Sequence, residues 1–124
     1  MNTTRAMKGR DTALRSAQTA SAKLNEVFGA LSDPTRRAML ARLTRGECSV
    51  SVLSEPFRVS APAISRHLRV LKRAGLIDRR KAGRVHYCRI RAGALSGAGD
   101  WITQQQAFWQ QQLDALAQHL GEPT

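Results

Sequence analysis

Apolar residues recur along the chain at two spacings, and the changes of spacing divide it into elements. Leu24, Val27, Phe28 and Leu31 follow the i, i+3, i+4, i+7 order of an amphipathic helix. Ser32 and Asp33 stop it, and Pro34 opens a second helix, since proline suits a first turn whose N–H has no partner. That helix is predicted to run to about Thr44, with Met39, Leu40 and Leu43 inward and Gly46 ending it. Ser49 caps a short helix carrying Val50, Val52 and Leu53, which Pro56 breaks. Ser60 caps a longer one, in which Ala61, Ile64, Leu68 and Leu71 repeat on one side until Gly75 takes the position just past the end. From Leu76 and Ile77 the period shortens towards alternation: a strand, a tight turn at Ala82-Gly83, and a returning strand marked by Val85, Tyr87 and Ile90. "GDWITQQQAFWQQQLDALAQHL" then reads as one long helix capped by Asp100, its apolar face formed by Trp101, Phe108, Trp109, Leu113, Leu116 and Leu120.

The opening stretch, "MNTTRAMKGRDTALRSAQTA", has no strong apolar period and is read as a mobile basic arm, helical towards its end. The expected organisation is therefore an arm over residues 1–20, one domain over 21–120 and a tail over 121–124. A chain of 124 residues has room for one such domain. No run approaches the roughly 18 apolar residues of a membrane span, and the N-terminus lacks a secretory signal's apolar stretch, so the expected location is cytoplasmic. Cys48 and Cys88 stand forty residues apart without a CxxC, which argues against a disulfide framework or a structural zinc site and for reduced thiols.

Charge sharpens this picture. Twenty Lys and Arg face nine acids, a net +11, and the excess is concentrated. Between Arg58 and Arg91 stand eleven cations and one acid, Asp78, threaded through apolar positions that a disordered tail would lack. The distribution points to a folded surface for a polyanion. Two helices with a tight break between them make a helix-turn-helix, and the second shows a solvent face of Pro62, Ala63, Ser65, Arg66, Arg69, Lys72 and Arg73. Small residues near a helix N-terminus permit close approach to a major groove, and hydroxyls and long donors reach base edges and phosphates. An ordinary solvated helix would mix Glu with Lys, whereas residues 60–75 contain no acid. The basic hairpin that follows, with Arg79, Arg80, Lys81 and Arg84 towards its tip, is suited to lie along phosphates or enter a minor groove.

Taken together, "ALSDPTRRAML", "SAPAISRHLRVLKRAGLI", "RRKAGRVHYCRI" and "FWQQQLDALAQHL" resemble the ArsR/SmtB-type winged helix-turn-helix repressors of bacteria, over about Leu24 to Leu120. The resemblance implies a mainly α fold with a small β-hairpin, dimerising through N- and C-terminal helices. It also implies a homodimer that binds a palindromic operator and represses until a signal releases it. The expected DNA contacts are Ser60, Ala61, Ala63, Ser65, Arg66 and Arg69 in the major groove, with Arg79, Arg80, Lys81 and Arg84 from the wing. The expected dimer seam is Leu24, Val27, Phe28, Trp101, Phe108, Trp109, Leu113, Leu116 and Leu120. Two recognition helices held about 34 Å apart read a two-fold symmetric site.

Metal sensors of that family often carry "ELCVCDL" on the first helix of the helix-turn-helix. Laid on "ECSVSVL", residues 47–53, its thiolate positions fall on Ser49 and Ser51, with Cys48 one residue off. The family's second site uses Asp and His pairs on the last helix, where His119 is the one histidine from Asp100 onward. Neither site is intact, and hydroxyls are poor ligands for soft ions, so no metal and no cofactor is expected. His67 is read as a half-buried packing residue and His86 as facing solvent or DNA. The sequence has no nucleophile elbow, phosphate-cradling glycine loop or HExxH, so no enzyme is expected. Three rivals stay open: a sequence-tolerant architectural binder of nucleic acid, a protein-interaction module reusing the fold, and a repressor with a non-standard metal or redox sensor, Cys48 and Cys88 included.

Overall fold

The computed structural model describes residues 2–121, and side chains from residue 9 onward except that of residue 10. Two compact units divide the chain at Ala94 and Leu95. The first holds α1 (Asn2–Leu31), α2 (Pro34–Leu43), β1 (Cys48–Ser49), α3 (Val50–Ser54), α4 (Ala61–Arg73), β2 (Ile77–Ala82) and β3 (Val85–Ile90); the second holds α5 (Ser96–His119).

The local chemistry that sets these boundaries is the one the sequence announces. The carboxylate of Asp33 accepts the Arg36 N–H at 2.9 Å with Pro34 in the first turn of α2. Ser49 and Ser60 accept from the N–H groups of Val52 and Ala63, each at 3.2 Å, and so cap α3 and α4. An N-cap of this kind contributes about 1 kcal/mol. Gly75 closes α4 at φ +75°, a conformation that a side chain would strain. The C-terminus of α1 is closed from outside. Arg36 donates to the Ala30 and Gly29 carbonyls at 2.7 and 3.1 Å, and Arg37 to Leu31 at 2.7 Å. Cations on carbonyls with no partner in their own helix, at the negative end of its dipole, hold α2 against α1.

α2 packs against α1, α3, α4 and β3. The core at their junction contains Val27, Ala30, Met39, Leu40, Leu43, Leu53, Ile64, Leu68, Leu71, Leu76 and Ile77. Beside them lie three antiparallel strands in the order β1-β3-β2, not the two of a bare hairpin. β1 is only two residues long and carries no periodic signal, which is why sequence pattern misses it. The hairpin register runs from Ile77 opposite Ile90 to Ala82 opposite Val85, so its turn falls on Gly83-Arg84, one residue later than predicted. Gly83, at φ +62°, supplies the left-handed conformation that such a turn demands.

Two further boundaries differ from the sequence reading. α1 is one helix through residues 2–20, the stretch read as an arm, with residues 11–23 exposed throughout. α5 begins one turn before Asp100: the Gly99 N–H donates to the Leu95 carbonyl at 2.8 Å, so Asp100 lies inside the helix and does not cap it. Its N-cap position is Leu95, which has no side chain able to cap. No helix among the described residues is long and apolar enough to cross a membrane.

Candidate nucleic-acid interface

α4 is strongly two-sided. Ile64, Leu68 and Leu71 are buried and hold it on the domain, while Ser60, Ala61, Pro62, Ser65, Arg66, Arg69, Lys72 and Arg73 are exposed and Ala63 is half-buried. The helix begins with small residues and ends with Lys72 and Arg73. Arg66 and Arg69 make no hydrogen bond or ion pair with other described residues, leaving both guanidinium groups to an outside acceptor. Ser60 is engaged through its oxygen as the cap, with its O–H still able to donate. Of the predicted α4 residues all but Ala63 are exposed, Ala61 included, although its spacing places it with the inward stripe.

The wing cations divide into two kinds. Lys81 is opposite His86 one rung from the turn, and Arg84 stands in the turn. Both are exposed. Arg79 stands mid-strand opposite Cys88 rather than at the tip. Arg80 is held within the chain: its guanidinium forks onto Glu47, with Nε 3.0 Å from both carboxylate oxygens and Nη2 2.6 Å from Oε1. The same guanidinium lies 4.4 Å over the ring of Tyr87, its cross-strand partner. The Arg80 bond holds the Glu47 carboxyl below its usual range and raises Arg80 in turn. Asp78 is likewise lowered, first by the Arg91 hydrogen bonds at 2.9 and 2.7 Å. Two of the eleven cations in the basic segment are therefore met by carboxylates, Arg80 by both oxygens of Glu47 and Arg91 by Oδ1 of Asp78 alone. Glu47 lies 33 residues from Arg80, and no local spacing rule links them.

Between α3, the start of α4 and β3 runs an open groove lined by Ser49, Ser51, Ser65, Arg84 and His86, with Val52, Val59 and Val85 exposed along it. It opens beside the recognition helix. On the opposite side of α4, His67 is half-buried, as its position in the sequence suggests. Its Nδ1 lies 3.3 Å from Arg36 Nη1 and 3.8 Å from the Asp33 carboxylate. Guanidinium only donates, so Nδ1 is the acceptor of that contact. Asp33 is held low first by the Arg36 N–H and further by the Arg36 charge. This corner ties α4 to the junction of α1 and α2, a link that sequence spacing does not reveal.

For the helices expected at a dimer seam, the picture is mixed. Val27 is buried within the chain's own core, whereas Leu24 and Phe28 are half-buried. On α5, Trp101, Phe108, Trp109, Leu113, Leu116 and Leu120 are 43–62% exposed, far more than large apolar groups show in a finished core. Among the described residues no cluster of three or more His, Cys, Asp or Glu could hold a metal ion.

A two-sided helix-turn-helix followed by a basic hairpin defines a winged-helix, nucleic-acid-binding protein. A helix-turn-helix domain family matches residues 31–80. The transcriptional repressor SdpR of Bacillus subtilis is 37% identical over 79 residues, spanning 64% of this chain and 88% of that protein. A crystal structure of an ArsR family transcriptional regulator is similar at a TM-score of 0.69 and 40% identity, over 73% of this chain and 93% of that one. The homodimeric winged helix-turn-helix DNA-binding domain of a possible ArsR-family regulator from Mycobacterium bovis matches at a TM-score of 0.56 and 25% identity, over 80% and 88%. The chain belongs to the ArsR/SmtB-type family of winged helix-turn-helix regulators, and it is a DNA-binding transcriptional regulator, not an enzyme.

Proposed function

We propose that the chain is a homodimeric repressor that reads a two-fold symmetric operator with α4 in the major groove and the β2-β3 wing on the flanking backbone. The observation that carries this reading is the exposed face of α4, free of acids from Ser60 to Arg73 and continuous in sequence with the wing cations. Ser60, Ala61, Ala63, Ser65, Arg66 and Arg69 make the groove contacts. Arg66 and Arg69 are the donors long enough for a guanine edge. Arg79, Arg80, Lys81 and Arg84 serve the wing, with Lys81 and Arg84 nearest its tip and Arg80 positioned by Glu47. Leu24, Phe28, Trp101, Phe108, Trp109, Leu113, Leu116 and Leu120 form the dimer seam, together with what surface Val27 retains. The homodimeric relative and the exposure of the α5 face support that arrangement.

The test is selection of random duplexes on the purified protein at near-physiological salt, followed by binding of the winning site against scrambled DNA. The expected result is an inverted repeat with half-sites about one duplex turn apart, preferred by at least about a thousandfold. A selection that yields no motif, with affinity following salt alone, would replace this reading by the architectural one.

A further inference from the structure

Cys48 and Cys88 are brought face to face by a strand pairing that the sequence does not announce. β1 runs antiparallel to β3 with Cys48 directly opposite Cys88, and both thiols are free and buried, at 8% and 0% exposure. The ladder fixes what kind of rung they occupy. The Arg91 N–H donates to the Leu76 carbonyl, which makes 76 and 91 a hydrogen-bonded pair at the base of the β2-β3 hairpin. Hydrogen-bonded and non-bonded rungs alternate from there through the register of Ile77 with Ile90, Asp78 with Arg89 and Arg79 with Cys88. Arg79 and Cys88 are therefore a non-bonded pair, and the N–H and C=O of Cys88 point the other way, to β1. The Cys48 and Cys88 rung is hydrogen-bonded, with Cα atoms about 5.5 Å apart.

A Cα separation of that size admits a disulfide as well as a bridged ion, and the Cβ separation distinguishes the two. Opposed Cβ atoms on such a rung sit at the wide end of the roughly 4.5–5.5 Å range, whereas a disulfide draws them to about 3.5–4.5 Å. Two metal–thiolate bonds of about 2.3 Å laid end to end span about 4.6 Å, and they fit parallel side chains on one sheet face without drawing the strands together. Among the described residues no third ligand completes a larger set. A two-thiol site suits neither zinc, which takes four ligands, nor the hard cations, which take oxygen. It suits a soft monovalent ion with a filled d shell.

We propose that Cys48 and Cys88 form a two-coordinate dithiolate site for Cu(I). Binding releases two protons: two thiols and one Cu(I) give a linear S–Cu–S unit with net charge −1. Arg79, directly across the β2-β3 ladder from Cys88, supplies the compensating cation. Cys48, on the two-residue edge strand and the more exposed of the pair, is the side from which the ion enters. Neither cysteine occupies a thiolate position of the family's metal boxes. The site lies in the sheet, away from the face of α4, so it stands or falls independently of the operator reading.

The experiment is an anaerobic titration of the reduced full chain with Cu(I) against a colorimetric Cu(I) chelator, alongside Cys48→Ala. One ion retained per chain is expected, with affinity lower by about a hundredfold or more in the variant, beyond what loss of an outer-shell partner costs. Thermal melts of both metal-free proteins establish that the variant folds. X-ray absorption at the copper edge of the unaltered chain needs no variant, and two sulfur neighbours without nitrogen are expected. No retention against the chelator, retention unchanged in Cys48→Ala, or a copper environment containing nitrogen or a third sulfur overturns the proposal.

Discussion

Arg66 and Arg80 are both exposed arginines in a basic segment, yet their surroundings assign them different work. Arg66 has no partner among the described residues, so its five donors are left to an outside acceptor. Arg66→Ala is expected to lower the preference for operator over scrambled DNA by about 1–3 kcal/mol, the value of one good bidentate base contact, as measured by competition binding. Lys81→Ala and Arg84→Ala are expected to weaken all duplexes alike and to reduce the salt slope by about one each. Arg80→Ala should change that slope less than either, because its charge is already met by Glu47 at 2.6 Å and its guanidinium is stacked on Tyr87. A slope change for Arg80→Ala equal to that of Arg84→Ala would show that DNA displaces the carboxylate. The eleven cations can be counted in the sequence, but their pairing cannot. Glu47 and Arg80 meet because β1 brings residue 47 beside the wing, and a two-residue strand has no period to read.

Whole elements were more legible than single contacts where their ends carry chemistry. α2, α3 and α4 begin at Asp33, Ser49 and Ser60 because those side chains satisfy N–H groups that the helix leaves open. Ser60→Ala is expected to cost about 1 kcal/mol and a few degrees of melting temperature, while Ser60→Asp keeps the cap. Comparing operator affinity of the two variants then separates capping from DNA contact. α5 shows the opposite situation. Asp100 has the right residue type for a cap, but a turn already closed by Gly99 and Leu95 passes it by, although Gly97 and Gly99 lower the helix propensity of that turn. Propensity and capping residues state preferences, and backbone geometry set elsewhere in the chain decides among them. Cys48 and Cys88 illustrate the same limit: each is visible in the sequence, and only a strand register makes them neighbours.

At the scale of the molecule, three carboxylates are held below their usual range: Asp33 by the Arg36 N–H, Glu47 by Arg80 and Asp78 by Arg91. A group with a depressed folded pKa stabilises above its unfolded value and loses that contribution as pH falls through the folded one. Melting temperature is therefore expected to be level with respect to these groups above about pH 5 and to decline below about pH 4, with Glu47→Gln reducing the decline. A decline unaltered by that variant would assign acid sensitivity to other groups. Assembly is the second property at this scale. Trp109→Glu with Leu113→Glu is expected to shift sedimentation to the monomer and to weaken operator binding by about a hundredfold or more, through loss of two-site engagement. The exposed apolar face of α5 also bears on how a cell would experience this regulator. When the DNA-reading form contains two chains, its amount at low dose follows the square of the chain's own concentration, so that halving the protein leaves about a quarter of the active species. Growth through one doubling of volume without new synthesis halves that concentration, and genes under its control are therefore released more sharply by growth than by an equal change in a protein acting singly.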